Sequence, residues 1–170
     1  SFFSHMNVMF AYALYKRNFA REGFEVLNSI YKMCLNTELS KIYPCLPEYF
    51  NSDGQGMYSY LTGSSSWFVL TLLTQVFGVR GEMGNLLIEP KLVKEQFKNS
   101  ETVSLNSHFS GRKIRVNYIN PKKLDFGEYK VEKIAINKTA IPKTLIERPL
   151  FLKLTSKSSE NIIDVHIVKS

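Results

Sequence analysis

A threonine, a glycine and three serines stand directly before an apolar stretch of this chain, in Tyr60-Leu61-Thr62-Gly63-Ser64-Ser65-Ser66-Trp67. The first amides of a helix have no partner inside the helix and carry partial positive charge, so they bind either an oxyanion or a side-chain cap. Gly63 allows an anion to approach the backbone closely. Spacing alone leaves two interpretations open: an anion site, or a serine that merely caps a helix from Trp67 to Phe77.

His5 is the second candidate, in Phe3-Ser4-His5-Met6-Asn7. An imidazole can donate a hydrogen bond to an oxyanion in either neutral tautomer or as the imidazolium. A lone histidine before an apolar helix can equally be structural. His108 and His166 fall in stretches that alternate like strands, where packing or surface roles are the simpler interpretation.

Three helices are expected to position these residues. Apolar residues recur at helical spacing from Ser4, the expected N-cap, until Gly23 closes the segment. A second helix follows, with an apolar face that consists of Phe24, Leu27, Ile30, Tyr31 and Cys34. Prolines, glycines and the turn signal Asn51-Ser52-Asp53-Gly54 make residues 41–63 a long loop, and long loops tend to be functional. The third helix runs from Trp67 to Phe77.

The hydrophobic period changes to two after Gly84, which predicts half-buried antiparallel strands. Alternating stretches occur at residues 113–118, at Leu150, Leu152 and Leu154, and at Ile163, Val165 and Ile167. About six to eight short strands over residues 86–170 indicate a β-sandwich. Residues 155–159 are expected to form a hairpin turn. The fold class is therefore α+β.

Composition fits part of a cytoplasmic enzyme. The 170 residues are 44% hydrophobic and carry a formal charge of +7. Lysines and arginines are scattered along residues 91–169 without interleaved aromatics, which favours a solvated face over a nucleic-acid surface. No apolar run is long enough to span a membrane, and the start lacks a leader pattern. Cys34 and Cys45 indicate reduced thiols, with neither a disulfide framework nor a metal site.

Four motifs in one order resemble the C-terminal part of the inverting β-glucoside phosphorylases typified by cellobiose phosphorylase. They are Phe3-Ser4-His5-Met6-Asn7, Tyr43-Pro44-Cys45-Leu46-Pro47-Glu48-Tyr49-Phe50, Thr62-Gly63-Ser64-Ser65-Ser66-Trp67, and Phe77-Gly78-Val79-Arg80-Gly81 leading to Leu87-Ile88-Glu89-Pro90. The second motif is closest in wording to 1,2-β-oligoglucan phosphorylases. The resemblance implies the final helices and active-site loop of an (α/α)6 barrel in residues 1–84, followed by a C-terminal β-sandwich in residues 85–170.

The resemblance also implies a reaction, in which inorganic phosphate attacks the anomeric carbon of a β-linked glucooligosaccharide and releases α-glucose 1-phosphate. By the motif match His5, Thr62 and Gly63 take the positions of the family's phosphate-binding residues. Glu48 and Tyr49 are candidates for binding the sugar, or else a solvated acid and a packing aromatic. Phosphate is a co-substrate, and neither a cofactor nor a metal is expected.

The catalytic Asp, which is the general acid of the family, is expected upstream of Ser1. The chain begins inside an apolar pattern without an initiator Met, so it is expected to be a fragment that is inactive alone and needs the rest of the same enzyme. The family commonly forms homodimers, which makes a second copy a candidate partner. The main rival is a non-catalytic carbohydrate-binding β-sandwich module, and its distinguishing feature would be a row of exposed aromatics on one sheet face.

Overall fold

The computed structural model describes residues 1–43, 45–60 and 62–170. Pro44 and Leu61, each part of a motif quoted above, lie outside the described residues. The chain divides into two compact units, Ser1–Val76 and Phe77–Ser170. This division falls ahead of the expected domain boundary at residues 84 and 85, because a strand pair spans that position.

Helices make up most of the first unit: α1 (Ser4–Lys16), α2 (Ala20–Leu35), α3 (Thr37–Ser40) and α4 (Gly63–Thr71), which a π-helical turn extends over Leu72–Val76. The core between them is apolar, with Val8, Ala11 and Tyr15 of α1 buried against Leu27 and Ile30 of α2. The ring of Tyr12 meets the ring of Trp67 edge-on at 5.4 Å between centroids, so α1 also packs on α4.

The expected end of the first helix at Gly23 is wrong. The chain turns earlier, at Asn18, whose φ of 68° lies in the left-handed region. Gly23 instead lies inside α2, where a Cβ atom would come within 2.5 Å of Cδ2 of Tyr15. Gly23 is therefore a packing glycine that admits the Tyr15 ring, and periodicity alone does not separate that role from a helix stop.

The long connection expected over residues 41–63 is confirmed for the described residues up to Thr62, since Gly63 already belongs to α4, and it carries two short strands. These are β2 (Tyr49–Phe50) and β3 (Gly56–Met57), and β2 pairs antiparallel with both β1 (Phe2–Phe3) and β3. The turn at Asp53 and Gly54 is confirmed, with Gly54 at a φ of 81°. This small sheet ties the long connection to the start of α1.

The third expected helix begins four residues earlier than Trp67, because Thr62 caps it at Gly63. Its last part is a π-helical turn, in which the hydroxyl of Thr74 donates to the carbonyl of Leu70 at 2.7 Å. A π-helical turn departs from the regular i to i−4 hydrogen bonds of an α-helix. A hydroxyl that bonds to the carbonyl of the preceding turn also disturbs that pattern.

Two sheets form the framework of the second unit. A three-stranded sheet has the order β10-β5-β4 and a five-stranded sheet the order β6-β7-β11-β8-β9. Their bounds are β4 (Val79–Glu82), β5 (Asn85–Ile88), β6 (Thr102–Phe109), β7 (Arg112–Ile119), β8 (Tyr129–Ile136), β9 (Thr139–Ile141), β10 (Leu145–Ile146) and β11 (Asn161–Lys169). A short 3₁₀ helix at Lys94–Gln96 and helix α5 (Arg148–Leu154) lie between strands.

The two strongest alternating patterns are confirmed as β7 and β11, which bury Ile114, Val116, Ile163 and Val165 and expose charged residues such as Lys113 and Arg115. His108 and His166 lie on strands β6 and β11, as expected. The sheets are mostly antiparallel, with one departure: β7 and β11 pair in parallel. The segment between them therefore has to return the chain to the same end of the sheet.

The expected strand at Leu150, Leu152 and Leu154 is wrong, because these residues lie in α5. Pro149 stands in the first turn of α5, where its fixed φ favours a helix and its missing N–H costs nothing. Alternate leucines fit a short helix when only one residue, here Phe151, needs to be buried. The expected hairpin at residues 155–159 is consequently a connection from a helix to a strand.

Overall, the chain is an α+β protein, and its described helices do not close into a barrel. No helix in the described part of the chain combines the length and the apolar character that crossing a membrane requires.

Gly78 offers a direct test of the second unit's packing. A Cβ atom at Gly78 would lie 1.9 Å from the backbone oxygen of Glu89, whereas one at Gly84 would meet nothing within 4 Å. Both glycines have positive φ, 65° and 82°, so alanine costs backbone strain at either site. We expect Gly78→Ala to destabilise the second unit by about 1–3 kcal/mol more than Gly84→Ala, since a backbone atom has to move.

Urea denaturation followed by far-UV circular dichroism measures this difference. Trp67, the only tryptophan of the chain, lies in the first unit, so its fluorescence reports that unit separately. Equal destabilisation by the two variants would contradict this expectation, because it would show that the backbone near Gly78 moves without a loss of stability.

Candidate functional site

The backbone of Glu48 forms hydrogen bonds to the start of α1 and to Tyr58, the residue that follows β3. Its carbonyl accepts from the amide of Ser4 at 2.9 Å and from that of His5 at 3.4 Å, and its own amide donates to the carbonyl of Tyr58 at 2.9 Å. These bonds continue the β1-β2-β3 pairing by one residue. Glu48 is therefore fixed beside the first turn of α1, and its side chain starts from a defined place.

The carboxylate of Glu48 contacts both sequence-predicted segments. One oxygen lies 2.8 Å from Nδ1 of His5, and the other accepts a hydrogen bond from the hydroxyl of Thr62. The side chains of His5 and Glu48 are 32% and 19% exposed. A partly buried carboxylate therefore joins the histidine of α1 to the cap of α4.

Thr62 is the N-cap of α4. Its hydroxyl oxygen accepts from the amide of Ser64 at 3.0 Å, which satisfies one of the helix's first amides. The hydroxyl of Ser64, which is fully buried, donates to the carbonyl of Pro47 at 2.8 Å. Ser65 donates to the carbonyl of Leu46 at 3.2 Å. The serine tract thus anchors the loop that carries Glu48, in addition to opening the helix.

Gly63 lies directly against the ring of His5. A Cβ atom at Gly63 would be 2.2 Å from Cε1 and 2.5 Å from Nε2 of that ring. Any larger residue would push the imidazole away from the start of α4. A glycine is therefore required here so that the ring can approach closely. The sequence alone suggests a different reason for this glycine, namely the approach of an anion to the backbone.

The surroundings of Glu48 lower its pKa. The hydrogen bond from Thr62 is the main cause, and the hydrogen bond with His5, the positive charge of that ring when it is protonated, and the amide of Ser64 act in the same direction. Partial burial opposes them without reversing the result. At neutral pH Glu48 is therefore a carboxylate, which can only accept hydrogen bonds.

Two exposed tyrosines lie on the same loop. The rings of Tyr58 and Tyr60 stack with centroids 5.7 Å apart and planes 16° apart, and they are 64% and 68% exposed. Exposed, nearly parallel aromatic rings form a flat apolar surface with polar edges. Because the carbonyl of Tyr58 accepts from the backbone amide of Glu48 at 2.9 Å, this pair begins beside the backbone of Glu48.

The structure brings His5 to Thr62 and Gly63, although more than fifty residues separate His5 from that pair in the sequence. Glu48 joins this cluster, with both carboxylate oxygens engaged. Tyr49 lies on β2 and stacks on Phe3 at 5.6 Å. A direct role of Glu48 or Tyr49 in binding sugar stays a prediction. Sequence reasoning missed the bridging role of Glu48, because it depends on strand pairing across the long loop, and it missed the tyrosine pair.

The other chemically active side chains form no second cluster of this kind. Within residues 1–43, 45–60 and 62–170, no three His, Cys, Asp or Glu side chains stand close enough to hold a metal. Cys34 and Cys45 are free thiols, and burial is the main reason that the pKa of Cys34 rises to about 11. A thiol with such a pKa is a poor nucleophile at neutral pH.

A scan of the chain against protein-family models gives no match. A search of the curated proteins gives no match either.

The lowered pKa of Glu48 predicts an acid-sensitive contribution to stability. A carboxyl group with a depressed folded-state pKa stabilises the fold above its unfolded pKa of about 4.3, and this contribution is lost as pH falls through the folded value. We expect wild type to be more stable than Glu48→Gln at about pH 7, and the difference in the free energy of unfolding to shrink below about pH 4.

Urea denaturation followed by Trp67 fluorescence measures this difference, since that residue lies in the same unit. Glu25→Gln, the same substitution at an exposed position of α2, corrects for the loss of one carboxylate. A difference that stays constant or grows on acidification would contradict the proposed interactions of the Glu48 carboxylate.

Proposed function

We propose that this chain forms part of a glycoside phosphorylase that cleaves β-linked glucooligosaccharides with inorganic phosphate and releases α-glucose 1-phosphate with inversion. In this proposal His5, Thr62 and Gly63 belong to the phosphate site. The observation that carries it is their meeting at the start of α4: the His5 ring lies against Gly63, and Glu48 bridges His5 to Thr62.

The start of α4 supplies what an attacking phosphate needs. Its first amides, including that of Gly63, have no partner within the helix and carry partial positive charge. The ring of His5 stands beside these amides. The amides can therefore donate to some oxygens of an anion while the ring bonds to another. Fixing phosphate in line with the anomeric carbon is the main task in this chemistry, because phosphate is already an anionic nucleophile.

The reaction balances without a second carboxylate acting as base. A phosphate oxygen forms the new bond to the anomeric carbon while the glycosidic bond on the opposite face breaks. The departing oxygen takes a proton from a general acid, which we assign to an Asp in another part of the enzyme. The described residues of this chain contribute to the phosphate side of that event only.

The tyrosine pair supports a sugar as the organic substrate. Tyr58 and Tyr60 expose stacked rings on the loop that bonds to the backbone of Glu48, and the carbon face of a glucosyl unit packs well on such a surface. Exposed apolar residues elsewhere in the first unit, among them Met6 and Phe10 of α1 and Val69 and Leu70 of α4, support packing against further helices of the proposed barrel.

A carbohydrate-binding module in the second unit finds less support. The exposed large apolar residues of Phe77–Ser170 are Met83, Leu145, Leu150 and Ile162, none of which is aromatic. Aromatic rings of this unit pack on other residues instead. Phe109 meets Phe151 edge-on at 5.2 Å, and buried Tyr118 donates to the carbonyl of Phe77. We propose that this unit is the structural β-sandwich that follows the barrel.

Thr62→Val tests the proposed function in the full-length enzyme. The valine keeps the volume but removes the hydroxyl that caps α4 and bonds to the Glu48 carboxylate. We expect it to weaken the use of phosphate by about 1.5–3 kcal/mol, the range for a hydrogen bond to a charged group. Initial rates of α-glucose 1-phosphate release at varied phosphate and at varied oligosaccharide separate the two substrates.

Ser66→Ala is the matched control, because Ser66 is an exposed hydroxyl of the same tract whose bond goes only to the carbonyl of Gly63. It should leave the phosphate dependence unchanged. If Thr62→Val also leaves that dependence unchanged, or if wild type releases no sugar phosphate, the proposed function is wrong.

A further inference from the structure

The proton on the His5 ring has a place that the neighbouring carboxylate dictates. Glu48 lies 2.8 Å from Nδ1 of His5, and as a carboxylate it can only accept. A carboxylate opposite an unprotonated ring nitrogen would be two acceptors in contact, which is unfavourable. Nδ1 therefore carries the hydrogen and donates it to Glu48.

This assignment leaves Nε2 with a lone pair. A neutral imidazole has one donor and one acceptor, so protonation of Nδ1 makes Nε2 the acceptor. Nε2 is also the ring nitrogen nearer to Gly63, since a Cβ atom there would lie 2.5 Å from Nε2 and 2.8 Å from Nδ1. Among the residues that the structure describes, Nε2 has no hydrogen-bond partner.

We propose that Glu48 is a positioning residue that fixes His5 as a hydrogen-bond acceptor, so that the site selects oxyanions that retain a proton over those that do not. This inference rests on the proposed phosphate site and adds the reason for its choice of anion. Hydrogenphosphate donates its P–O–H to Nε2 and keeps unprotonated oxygens for the α4 amides and for attack on the sugar.

Sulfate tests the selection because it has nearly the same size and shape and no proton at neutral pH. Its oxygens can accept from the α4 amides, but one of them would face the lone pair of Nε2. Two acceptors that face each other in this partly buried site lose hydration without gaining a hydrogen bond in return. Arsenate, which retains a proton as phosphate does, should behave like phosphate.

Nuclear magnetic resonance of the 170-residue chain, labelled with nitrogen-15, tests both steps at about pH 8, where an ordinary imidazole is neutral. Long-range couplings of the His5 ring report which nitrogen carries the hydrogen. Titrations with phosphate, arsenate and sulfate are followed on the ring of His5 and the amide of Gly63. We expect the hydrogen on Nδ1, and apparent affinities for phosphate and arsenate at least about tenfold above that for sulfate.

Glu48→Gln is the diagnostic variant, because the glutamine amide can donate to Nδ1 as well as accept from it. We expect a mixture of ring tautomers and a ratio of phosphate to sulfate affinity that falls toward one. Glu25→Gln, at an exposed position, should keep the wild-type tautomer and ratio. A purely structural role of Glu48 would weaken all three anions equally and leave the ratio as it is.

Three results would overturn the inference. A hydrogen on Nε2 in the unliganded wild type contradicts the assigned tautomer. Equal binding of phosphate and sulfate contradicts the selection, although the proposed phosphate site would stand. No response of His5 or Gly63 to any of the three anions contradicts the phosphate site itself, and the selection with it. The wild-type measurements decide these points even if Glu48→Gln does not fold.

Discussion

The carboxylate of Glu48 joins two segments that lie far apart in the sequence, and the geometry of the candidate site depends on it. One oxygen lies 2.8 Å from Nδ1 of His5, and the other accepts a hydrogen bond from the hydroxyl of Thr62. This bridge gives the imidazole a partner at Nδ1 and gives the threonine hydroxyl an acceptor. The short strands around Glu48 are small, but they place its backbone so that both contacts form together.

Three different constraints meet at the start of α4. Gly63 has to be glycine because the His5 ring occupies the space of its side chain. Thr62 has to carry a hydroxyl because it both caps the helix and bonds to the carboxylate. Ser64 is buried and holds the Glu48 loop through the carbonyl of Pro47. A tract that resembles an ordinary capping sequence therefore has a separate task for each of its first three residues.

Local patterns predicted the parts of the fold that depend on one periodic face. Helix α1 and the central strands β7 and β11 follow directly from apolar residues at helical or alternate spacing. The patterns failed where a neighbour decides the outcome: Gly23 stays helical because the Tyr15 ring packs on it, and the leucines at 150–154 form α5 after Pro149. The candidate site divides in the same way. His5, Thr62 and Gly63 could be selected by residue type and motif, whereas the bridging role of Glu48 depends on strand pairing across a long loop.

The most direct measurement is a crystal structure of the chain grown with arsenate, with the arsenic located by its anomalous scattering. We expect one arsenic site at the start of α4, with different anion oxygens within hydrogen-bond distance of Nε2 of His5 and of the amide of Gly63. Glu48 should keep its bond to Nδ1 while the anion is bound. An arsenic site elsewhere, or an anion that displaces the Glu48 carboxylate from His5, would contradict the arrangement described here.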